Sequence, residues 1–421
     1  MTSEEIRNYV WQMGKQARTA AHALTKLSTD RKNSVLIAMA EGIMAREPEI
    51  TAANKKDLEG ADELGVTEAM KDRLRLDHTR IKAMADGIRE VAELHDPTGE
   101  IIREWDRPNG INFQKKRTPI GTIGIIYESR PNVTADAAVL CFKTGNATIL
   151  RGGKEAIHSN RAIADALQAG GAEAGLPDHS IQLIPFTDRE SVQHLCEMDT
   201  FLDLIIPRGG AGLIEAVVSM ARMPVIKHYD GICHVYIDKD ADLDMAEAIV
   251  VNSKIQKPSV CNALETLLLH QDVAEKFAPQ IAENLSAQNV ELRGDEAFQK
   301  FAGVEVKSAT AEDWTAEYLD YILSVKVVEN LDVAIAHINE FGSHHTDSIV
   351  TEDEAAAAQF HLEVDSACVF WNTSTRFADG AEFGFGAEIG ISTDKLHARG
   401  PMALEELCSY KYLSFGTGQL K

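Results

Sequence analysis

A cysteine near the middle of the chain has neighbours that could make it a nucleophile. Cys261 stands in the segment KPSVCNALET, after a predicted helix that carries Lys254 and Lys257. Nearby cations favour the thiolate, which is the reactive form of a cysteine. The side chain of Asn262 and nearby backbone N–H groups could donate hydrogen bonds to an oxyanion. The alternative is a structural thiol, because free cysteine is among the most buried residue types.

The other cysteines and a histidine pair give less support for chemistry. The six cysteines are widely spaced, so we expect them to be reduced in a large cytosolic chain. Neither CxxC nor HExxH is present, and zinc binding is therefore not expected. His344 and His345 would point to opposite faces of a strand, so both could not easily serve one metal. A hydrogen bond or a substrate contact is the stronger role, for at most one of them.

Two glycine turns could bring the backbone close to a phosphate. Arg208, Gly209 and Gly210 precede a predicted helix, whose N-terminus would present unpaired N–H groups. The GxGxxG spacing is absent, so a tight turn that needs positive φ is an equal alternative. Arg151 and Lys154 flank two glycines after the predicted strand ATIL. These cations would suit the extra phosphate of NADP, or would form a solvated basic turn.

The distribution of charge suggests a small anionic ligand. The formal net charge of −23 disfavours nonspecific nucleic-acid binding and anionic membrane surfaces. Against this acidic background, the segments STRFADG and STDKLHARGPM carry Arg376, Lys395, His397 and Arg399. Such a cationic cluster suggests an anionic substrate, and the alternative is a surface turn or an interface.

The elements that must position these residues predict an α/β protein. Residues 3 to about 95 have helical periodicity, with Ser28 or Thr29 as the N-cap of a second helix. From Ile120 onwards strands alternate with helices, which predicts a doubly wound, Rossmann-type nucleotide-binding sheet covered on both faces. Its last strand is predicted at PVIKH, residues 224–228. A second α/β unit starts at HVYID and contains the Cys261 loop.

Length and the N-terminal sequence set wider limits. A chain of 421 residues is expected to form two or three domains. The N-terminus lacks the basic and apolar regions of a signal peptide, and no apolar run approaches the roughly 20 residues of a membrane helix. These features predict a cytoplasmic protein.

Several segments taken together resemble a known family. They are SRPNVT, NATILRGGKEA, KPSVCNALETLL, VAIAHINEFGSHHTDSI, STRFADG and KLHARGPM. From about residue 8 to 415, the chain is similar to the γ-glutamyl-phosphate reductases, also called glutamate-5-semialdehyde dehydrogenases, of the aldehyde dehydrogenase superfamily. The resemblance implies NADPH-dependent reduction of L-glutamyl 5-phosphate to L-glutamate 5-semialdehyde plus phosphate. This reaction is the second step of proline biosynthesis.

The resemblance also implies roles for single residues. Cys261 matches the nucleophile that forms a thioester, and Asn132 matches the asparagine that stabilises the oxyanion. Glu317 matches the glutamate that holds the nicotinamide ribose, and Arg151 matches the strand end that contacts the adenosine ribose. Lys154 stands where NAD-preferring relatives usually carry an acidic residue, which favours NADP by charge. Candidates for binding the anionic substrate are Arg130, Arg376, Lys395, His397 and Arg399.

One departure from the wider superfamily narrows the expected reaction. Lys227 replaces the glutamate with which hydrolytic aldehyde dehydrogenases activate water. A cation cannot act as that base, so the acyl acceptor is expected to be phosphate rather than water. Direct oxidation of the semialdehyde to glutamate should be weak or absent.

The resemblance further implies a domain organisation and partners. A nucleotide-binding domain is expected at 1–107 and 124–227, completed by part of 370–405, with a catalytic domain at 228–369. Segments 108–123 and 406–421 are expected to form an oligomerisation flap of a homodimer or homotetramer. A separate glutamate 5-kinase is the expected functional partner, because the acyl phosphate is labile.

Three other functions are weighed against this one. The first is a different thioester-forming aldehyde dehydrogenase that acts on another acyl phosphate or acyl-CoA, and the cationic C-terminal segments disfavour it. The second is a cysteine hydrolase, which would need a base beside Cys261 but no glycine turns on a doubly wound sheet. The third is a non-enzymatic binding protein, which would not explain the surroundings of Cys261.

Overall fold

The computed structural model describes residues 1–227 and 230–421, apart from the side chain of Ala69. These residues form two compact units. Unit 1 contains residues 1–227, 384–390 and 402–421. The described residues of unit 2 are 230–383 and 391–401. Residue 228, at which the catalytic domain was predicted to begin, lies outside the described residues.

Unit 1 begins with five helices, as the helical periodicity predicted. They are α1 (Ser3–Leu24), α2 (Thr29–Ala45), α3 (Glu47–Gly60), α4 (Glu68–Leu74) and α5 (His78–Glu93). α1 starts in a capping box, in which the side chains of Thr2 and Glu5 each accept the other's backbone N–H. Ser28, one of the two predicted N-caps, accepts a hydrogen bond from the Arg31 N–H at the start of α2. The buried face of α1 repeats at helical spacing and includes Ile6, Val10, Met13 and Ala17.

Six strands follow in unit 1. They are β1 (Ile101–Asp106), β2 (Asn112–Pro119), β3 (Thr122–Tyr127), β4 (Ala147–Gly152), β5 (Ile181–Leu183) and β6 (Leu204–Arg208). The helices are α6 (Val133–Lys143), a 3-10 turn at Lys154–Ala156 that leads into α7 (Ile157–Glu173), α8 (Glu190–Cys196) and α9 (Ala211–Met220). Strands β3 to β6 form a parallel sheet in the order β5-β4-β3-β6. The chain moves outwards from β3 to β5 and returns on the other side of β3, so the carboxyl ends of β3 and β6 form the switch point where such sheets bind ligands.

The strand predicted at 224–228 is wrong for its described residues. Val225 makes only an isolated bridge with Ile205 of β6. Two backbone hydrogen bonds join the segments, from the Ile205 N–H to the Pro224 carbonyl and from the Ile226 N–H to the Ile205 carbonyl. Pro224 has no N–H to donate, so it cannot contribute a donor to a ladder at this edge.

Unit 2 contains a larger parallel sheet. Its elements are β7 (Cys233–Ile237), α10 (Leu243–Ile255), β8 (Leu264–His270), α11 (Gln271–Ala287), β9 (Glu291–Gly294), α12 (Glu296–Phe301), β10 (Lys307–Ser308), β11 (Ile322–Val328), α13 (Leu331–Phe341), β12 (Thr346–Val350), α14 (Glu354–Glu363) and β13 (Cys368–Trp371). The strands lie in the order β10-β9-β11-β8-β7-β12-β13. All seven residues of β8 are buried, as expected for a parallel strand with both faces covered. The Cys261 loop leads into this central strand.

Three short or exposed strands complete the chain. They are β14 (Gly390–Ser392), β15 (Gly400–Met402) and β16 (Cys408–Phe415). β14 pairs with β15, and β16 pairs antiparallel with β2 to form the sheet β1-β2-β16 in unit 1. This sheet contains parts of the segments 108–123 and 406–421, and its role in oligomerisation stays a prediction. No described helix is long and apolar enough to cross a lipid bilayer.

Candidate active site

Cys261 differs from the other cysteines in its exposure. It lies in the loop between α10 and β8 and is partly accessible, whereas the other five cysteines are buried. Burial raises the pKa of Cys141, Cys196 and Cys408 to about 12 and that of Cys233 well above its usual range. These four thiols stay protonated at neutral pH, so the prediction of mostly structural cysteines fits the molecule.

The main chain of Cys261 rests against the segment that enters β7. A Cβ atom added to Gly231 would lie 2.0 Å from the Cys261 carbonyl oxygen and 2.5 Å from its Cα, so only glycine fits there. The Gly231 N–H donates to the Glu317 carboxylate at 2.8 Å. The Cys233 thiol donates to the Cys261 carbonyl oxygen at 3.2 Å. The backbone of the candidate nucleophile is therefore fixed by close contact and by a buried donor.

Asn262 fastens a second segment to the nucleophile loop. Its side-chain amide donates to the Ala378 carbonyl at 2.9 Å and lies 3.5 Å from the Arg376 carbonyl. The Thr375 hydroxyl donates to the Asn262 carbonyl at 2.8 Å. The expectation that the Asn262 side chain donates to an oxyanion is wrong, because this buried amide is committed to main-chain carbonyls. Its role is to hold residues 375–378 beside Cys261.

The cation near Cys261 is an arginine from that second segment. Lys254 is fully buried and pairs with Glu265 at 2.7 Å, so its charge is directed into the core and not towards the thiol. Lys257 is exposed. Burial lowers the pKa of Arg376, and the nearby negative charges of Asp379 and Cys261 raise it in part. Neither lysine therefore supports the thiolate as the sequence suggested, and Arg376 is the cation on the segment that Asn262 holds against the Cys261 loop.

The two adjacent histidines do not lie in a strand. His344 has φ of 60° and precedes β12, and its Nδ1 lies 2.6 Å from the Asp365 carbonyl. His345 is buried, with Nδ1 2.8 Å from the Thr346 hydroxyl and 3.7 Å from the Cys233 sulfur. Burial lowers the pKa of His345 to about 4, so it is neutral. The argument from opposite strand faces was therefore wrong, and His345 contacts the thiol that supports Cys261.

The switch point of the unit 1 sheet carries the predicted Arg208 turn. The Glu128 N–H donates to the Arg208 carbonyl at 3.1 Å, and the Gly210 N–H donates to the Glu128 carboxylate at 3.2 Å. A Cβ on Gly209 would lie 2.4 Å from that carboxylate, whereas one on Gly210 would meet no atom within 4 Å. Open space therefore lies above the first turn of α9, where backbone N–H groups have no intrahelical acceptor. A phosphate group fits such a site.

Arg151 and Lys154 lie at the carboxyl end of β4, also in unit 1. Arg151 donates to the Gly152 carbonyl at 3.1 Å and to the Thr187 carbonyl at 2.9 Å, which fixes the guanidinium. Lys154 begins the short 3-10 turn and is exposed, with no carboxylate in ion-pair distance in the described chain. Arg151 is fixed while Lys154 can move to a ligand. Both predicted cations therefore lie at the carboxyl end of one strand of the unit 1 sheet.

Asn132 and Arg130 lie at the start of α6. Asn132 is the N-cap residue of α6, is exposed, and donates to the Asp136 carboxylate at 2.8 Å. Burial raises the pKa of Asp136 to about 6. Arg130 is exposed two residues earlier.

Lys227 is half-buried at the end of unit 1.

The cationic C-terminal segments are partly neutralised. Lys395 and Arg399 both bind the Asp365 carboxylate, at 2.5 Å and 2.9 Å. His397, between them in sequence, is exposed. Arg376 is held elsewhere, by a hydrogen bond from its Nε to Gln256 at 2.8 Å. The predicted cluster therefore divides into an Asp365 ion-pair group and a separate arginine beside Cys261.

Comparison with known proteins decides the family. Residues 4–300 match the model of the aldehyde dehydrogenase family. The γ-glutamyl phosphate reductases of Geotalea daltonii and Geobacter metallireducens are each 55% identical to the chain over 419 residues, which cover 100% of this chain and 99% of theirs. The chain belongs to the γ-glutamyl phosphate reductases. The predicted family and enzyme class are confirmed.

Solved structures agree with this assignment. The crystal structure of γ-glutamyl phosphate reductase from Thermotoga maritima is 43% identical and superposes with a TM-score of 0.96, covering 98% of this chain and 99% of that one. An engineered glycolyl-CoA reductase with bound NADP+ shares the fold alone, at 15% identity and a TM-score of 0.66 with 96% of each chain covered. The predicted α/β fold of the aldehyde dehydrogenases is confirmed, and enzymes of this family use nicotinamide cofactors.

Sequence reasoning missed four residues around the two candidate sites. Gly231 and Cys233 touch Cys261 although they are about thirty residues away along the chain. Gln256 orients Arg376, and Glu128 orients the glycine turn of unit 1. The signal for the first two was their place at the start of a strand that neighbours β8 in a parallel sheet. The signal for Glu128 was its place directly after β3, at the switch point.

Proposed function

We propose that the chain reduces L-glutamyl 5-phosphate to L-glutamate 5-semialdehyde, with release of phosphate, through a thioester at Cys261. The single observation that carries this proposal is the setting of Cys261. It is the partly exposed thiol among six, its main chain is fixed by Gly231 and Cys233, and Asn262 holds the segment that carries Arg376 against its loop. Membership of the γ-glutamyl phosphate reductases supports the choice of substrate.

The chemistry of Cys261 follows from this setting. The thiolate attacks the γ-carbonyl carbon, forming a carbon–sulfur bond, and the carbon–oxygen bond to phosphate breaks with the electron pair leaving on phosphate. Asn132 is our candidate donor to the oxyanion formed in that attack. NADPH, when bound, supplies the hydride that reduces the thioester carbonyl. Cys261 then leaves as the thiolate, and the aldehyde is formed.

The cofactor is assigned to residues of unit 1 and to one glutamate. Lys154 and Arg151 are proposed to hold the adenosine ribose and its 2′-phosphate, because Lys154 is an exposed cation without a carboxylate partner in the described chain. The turn of Arg208, Gly209 and Gly210 is proposed to contact phosphate at the open N-terminus of α9. Glu317, whose carboxylate already accepts the Gly231 N–H, is proposed to bind the nicotinamide ribose.

The remaining assignments concern the leaving group and the wider setting. We propose that Arg130, Lys395, His397 and Arg399 attract the anionic substrate, although Lys395 and Arg399 must share their charge with Asp365. Lys227 in place of a base is proposed to prevent hydrolysis of the thioester. We further propose a cytoplasmic homodimer or homotetramer, joined through the sheet β1-β2-β16, that receives its substrate from a separate glutamate 5-kinase.

The reverse reaction tests this proposal. Purified protein is mixed with glutamate 5-semialdehyde, in equilibrium with its cyclic form, together with NADP and phosphate, and NADPH absorbance is followed. We expect a signal that requires phosphate, and its loss by at least about 1,000-fold in Cys261→Ala. Cys196→Ala, which removes a buried thiol of unit 1, is the matched control and should keep normal turnover. Phosphate-independent formation of glutamate, or normal turnover by Cys261→Ala, would contradict the mechanism.

A further inference from the structure

A cavity of about 590 Å³ lies in unit 2 beside the segment that carries Arg376. Its walls come from α10 and from residues 372–382. Met245 and Phe377 are apolar parts of the lining, and Gln256, Arg376, Asp379 and Glu382 are polar or charged parts. The cavity therefore combines a cation, two carboxylates and apolar surface, all within one unit.

Hydrogen bonds join one wall segment of the cavity to the nucleophile loop. Asn262, the residue after Cys261, binds the Ala378 carbonyl at 2.9 Å and accepts the Thr375 hydroxyl at 2.8 Å. These bonds hold the backbone on both sides of Arg376 against the loop. Burial lowers the pKa of Arg376, and the nearby negative charges of Asp379 and Glu382 raise it in part. Arg376 therefore lines the cavity and lies on a segment that is bonded to the nucleophile loop.

The orientation of the Arg376 guanidinium suits the binding of a carboxylate. Its Nε donates to the Gln256 side chain at 2.8 Å, which fixes the plane of the guanidinium. In the described part of the chain no carboxylate lies within 4.0 Å of it, so its terminal N–H groups are not taken by an ion pair. A half-buried guanidinium in a fixed plane is suited to bidentate binding of a carboxylate.

Two carboxylates of the cavity lining, those of Asp379 and Glu382, suit a positively charged group of a ligand. Asp379 is half-buried and accepts the Ala381 N–H through Oδ1 at 2.9 Å, which leaves its second oxygen for a ligand. Glu382 is exposed at the rim and has no lysine or arginine in ion-pair distance in the described chain. An ammonium group bound between these carboxylates would gain charge-assisted hydrogen bonds.

We infer that this cavity binds the α-amino-acid end of the substrate, with Arg376 holding the α-carboxylate and Asp379 and Glu382 holding the α-ammonium. The inference rests on the proposed function, and it names the part of the enzyme that distinguishes an amino acid from other short acyl donors. The side-chain methylenes of the substrate would lie along the apolar wall that includes Phe377. The γ-carbonyl group would then point towards Cys261.

The test compares two substrates that differ only in the ammonium group. Glutamate 5-semialdehyde and 5-oxopentanoate have the same carbon chain and the same carboxylate, but the second lacks the α-ammonium. kcat/KM is measured for both with NADP and phosphate. We expect the wild type to prefer the amino acid by at least about 10-fold, because buried charged groups left without a partner weaken binding of the analogue.

Variants then locate the preference. Asp379→Asn keeps the acceptor for the Ala381 N–H and removes the charge, and we expect it to lose most of the preference for the amino acid over 5-oxopentanoate. Glu382→Gln should lose a smaller part, because Glu382 is at the exposed rim. Glu275→Gln, the same charge change at an exposed position of α11, is the control and should keep the preference.

Each result has a definite meaning. If the wild type shows no phosphate-dependent reaction with either substrate, the proposed function itself is wrong. If it reacts with glutamate 5-semialdehyde but does not prefer it, or if both Asp379→Asn and Glu382→Gln keep the full preference, the cavity inference is wrong and the proposed function stands. If Asp379→Asn fails to fold, Glu382→Gln alone decides, because its exposed side chain can be replaced without disturbing the core.

Discussion

Replacement of Gly231 by alanine should damage catalysis without removing any reactive group. The new methyl group would lie 2.0 Å from the Cys261 carbonyl oxygen, 2.5 Å from its Cα and 2.6 Å from its carbonyl carbon. All three are backbone atoms, so no flexible side chain can turn away. Restoring ordinary contact distances requires the two segments to separate by at least about 1 Å, and a displacement of this size at a reacting group costs about 100-fold in rate.

The glycine segment itself cannot easily supply that movement. The Gly231 N–H is bonded to Glu317 at 2.8 Å, and the Ile232 N–H is bonded to the Ser343 hydroxyl at 2.8 Å. β7 begins at Cys233, directly after these residues, and lies between β8 and β12 in the sheet. The Cys261 loop should therefore move instead. A 100-fold loss in kcat/KM corresponds to about 2.7 kcal/mol of lost transition-state stabilisation.

The assay is phosphate-dependent NADP reduction with glutamate 5-semialdehyde, combined with the rate at which iodoacetamide alkylates Cys261. Gly87→Ala is the matched control, because a Cβ at that position of α5 would meet no atom within 4 Å. We expect the control to keep full activity and to be slightly stabilised, by up to about 1 kcal/mol. If folded Gly231→Ala retained kcat/KM within threefold of the wild type, the idea that this contact positions the nucleophile would be refuted.

Two further predictions concern cofactor choice and stability. Lys154→Glu should lower the ratio of kcat/KM with NADP to that with NAD by at least about 10-fold, because a carboxylate would repel the 2′-phosphate; an unchanged ratio would show that Lys154 does not contact it. Lys254→Met should lower the free energy of unfolding by about 3–5 kcal/mol in urea titrations, because Glu265 would remain buried without its partner. Burial already raises the pKa of Glu265 to about 7, above its unfolded value, so stability is lost as pH rises through that pKa and the cost should be larger at pH 8.5 than at pH 6. A double variant, Lys254→Met with Glu265→Leu, should recover most of the loss, and a double variant less stable than either single one would contradict the argument.

Periodicity and capping predicted the N-terminal helices and the alternating strands and helices from Ile120 onwards, but not the strands β1, β2 and β16. The helices of the first 93 residues and the alternation of strands with helices follow from local patterns that sequence contains directly. The strand predicted at 224–228 failed because apolar residues after a proline look the same whether they form a ladder or a single bridge. Which strands become neighbours is a property of the whole sheet, and local patterns do not determine it.

Sequence neighbours were enough to propose the candidate nucleophile, but they did not show in which direction the charged side chains around it point. Cys261 could be proposed as the nucleophile from its sequence context, but Lys254, only seven residues earlier, points into the core towards Glu265. The spacing of residues along a helix shows which of them are close together, but it does not show which residue forms an ion pair with a given charge. Lys395 and Arg399 give the same lesson, since Asp365, about thirty residues earlier, binds both. Arg376, 115 positions after Cys261 in the numbering, lies on a segment that the bonds of Asn262 hold against the Cys261 loop.

The pairing of β2 with β16 has a consequence for synthesis of the chain. β2 is made early, at residues 112–119, whereas β16, which covers one of its edges, is made only at residues 408–415. At 5–20 residues per second, β2 waits on the order of 15–60 seconds on the ribosome with that edge unpaired. During this interval all of unit 2 is synthesised, and the open edge can pair with other nascent chains. The nascent chain should therefore need protection by chaperones until its last fourteen residues, which contain β16, have been made. A ribosome stalled before residue 408 would hold a chain prone to aggregation.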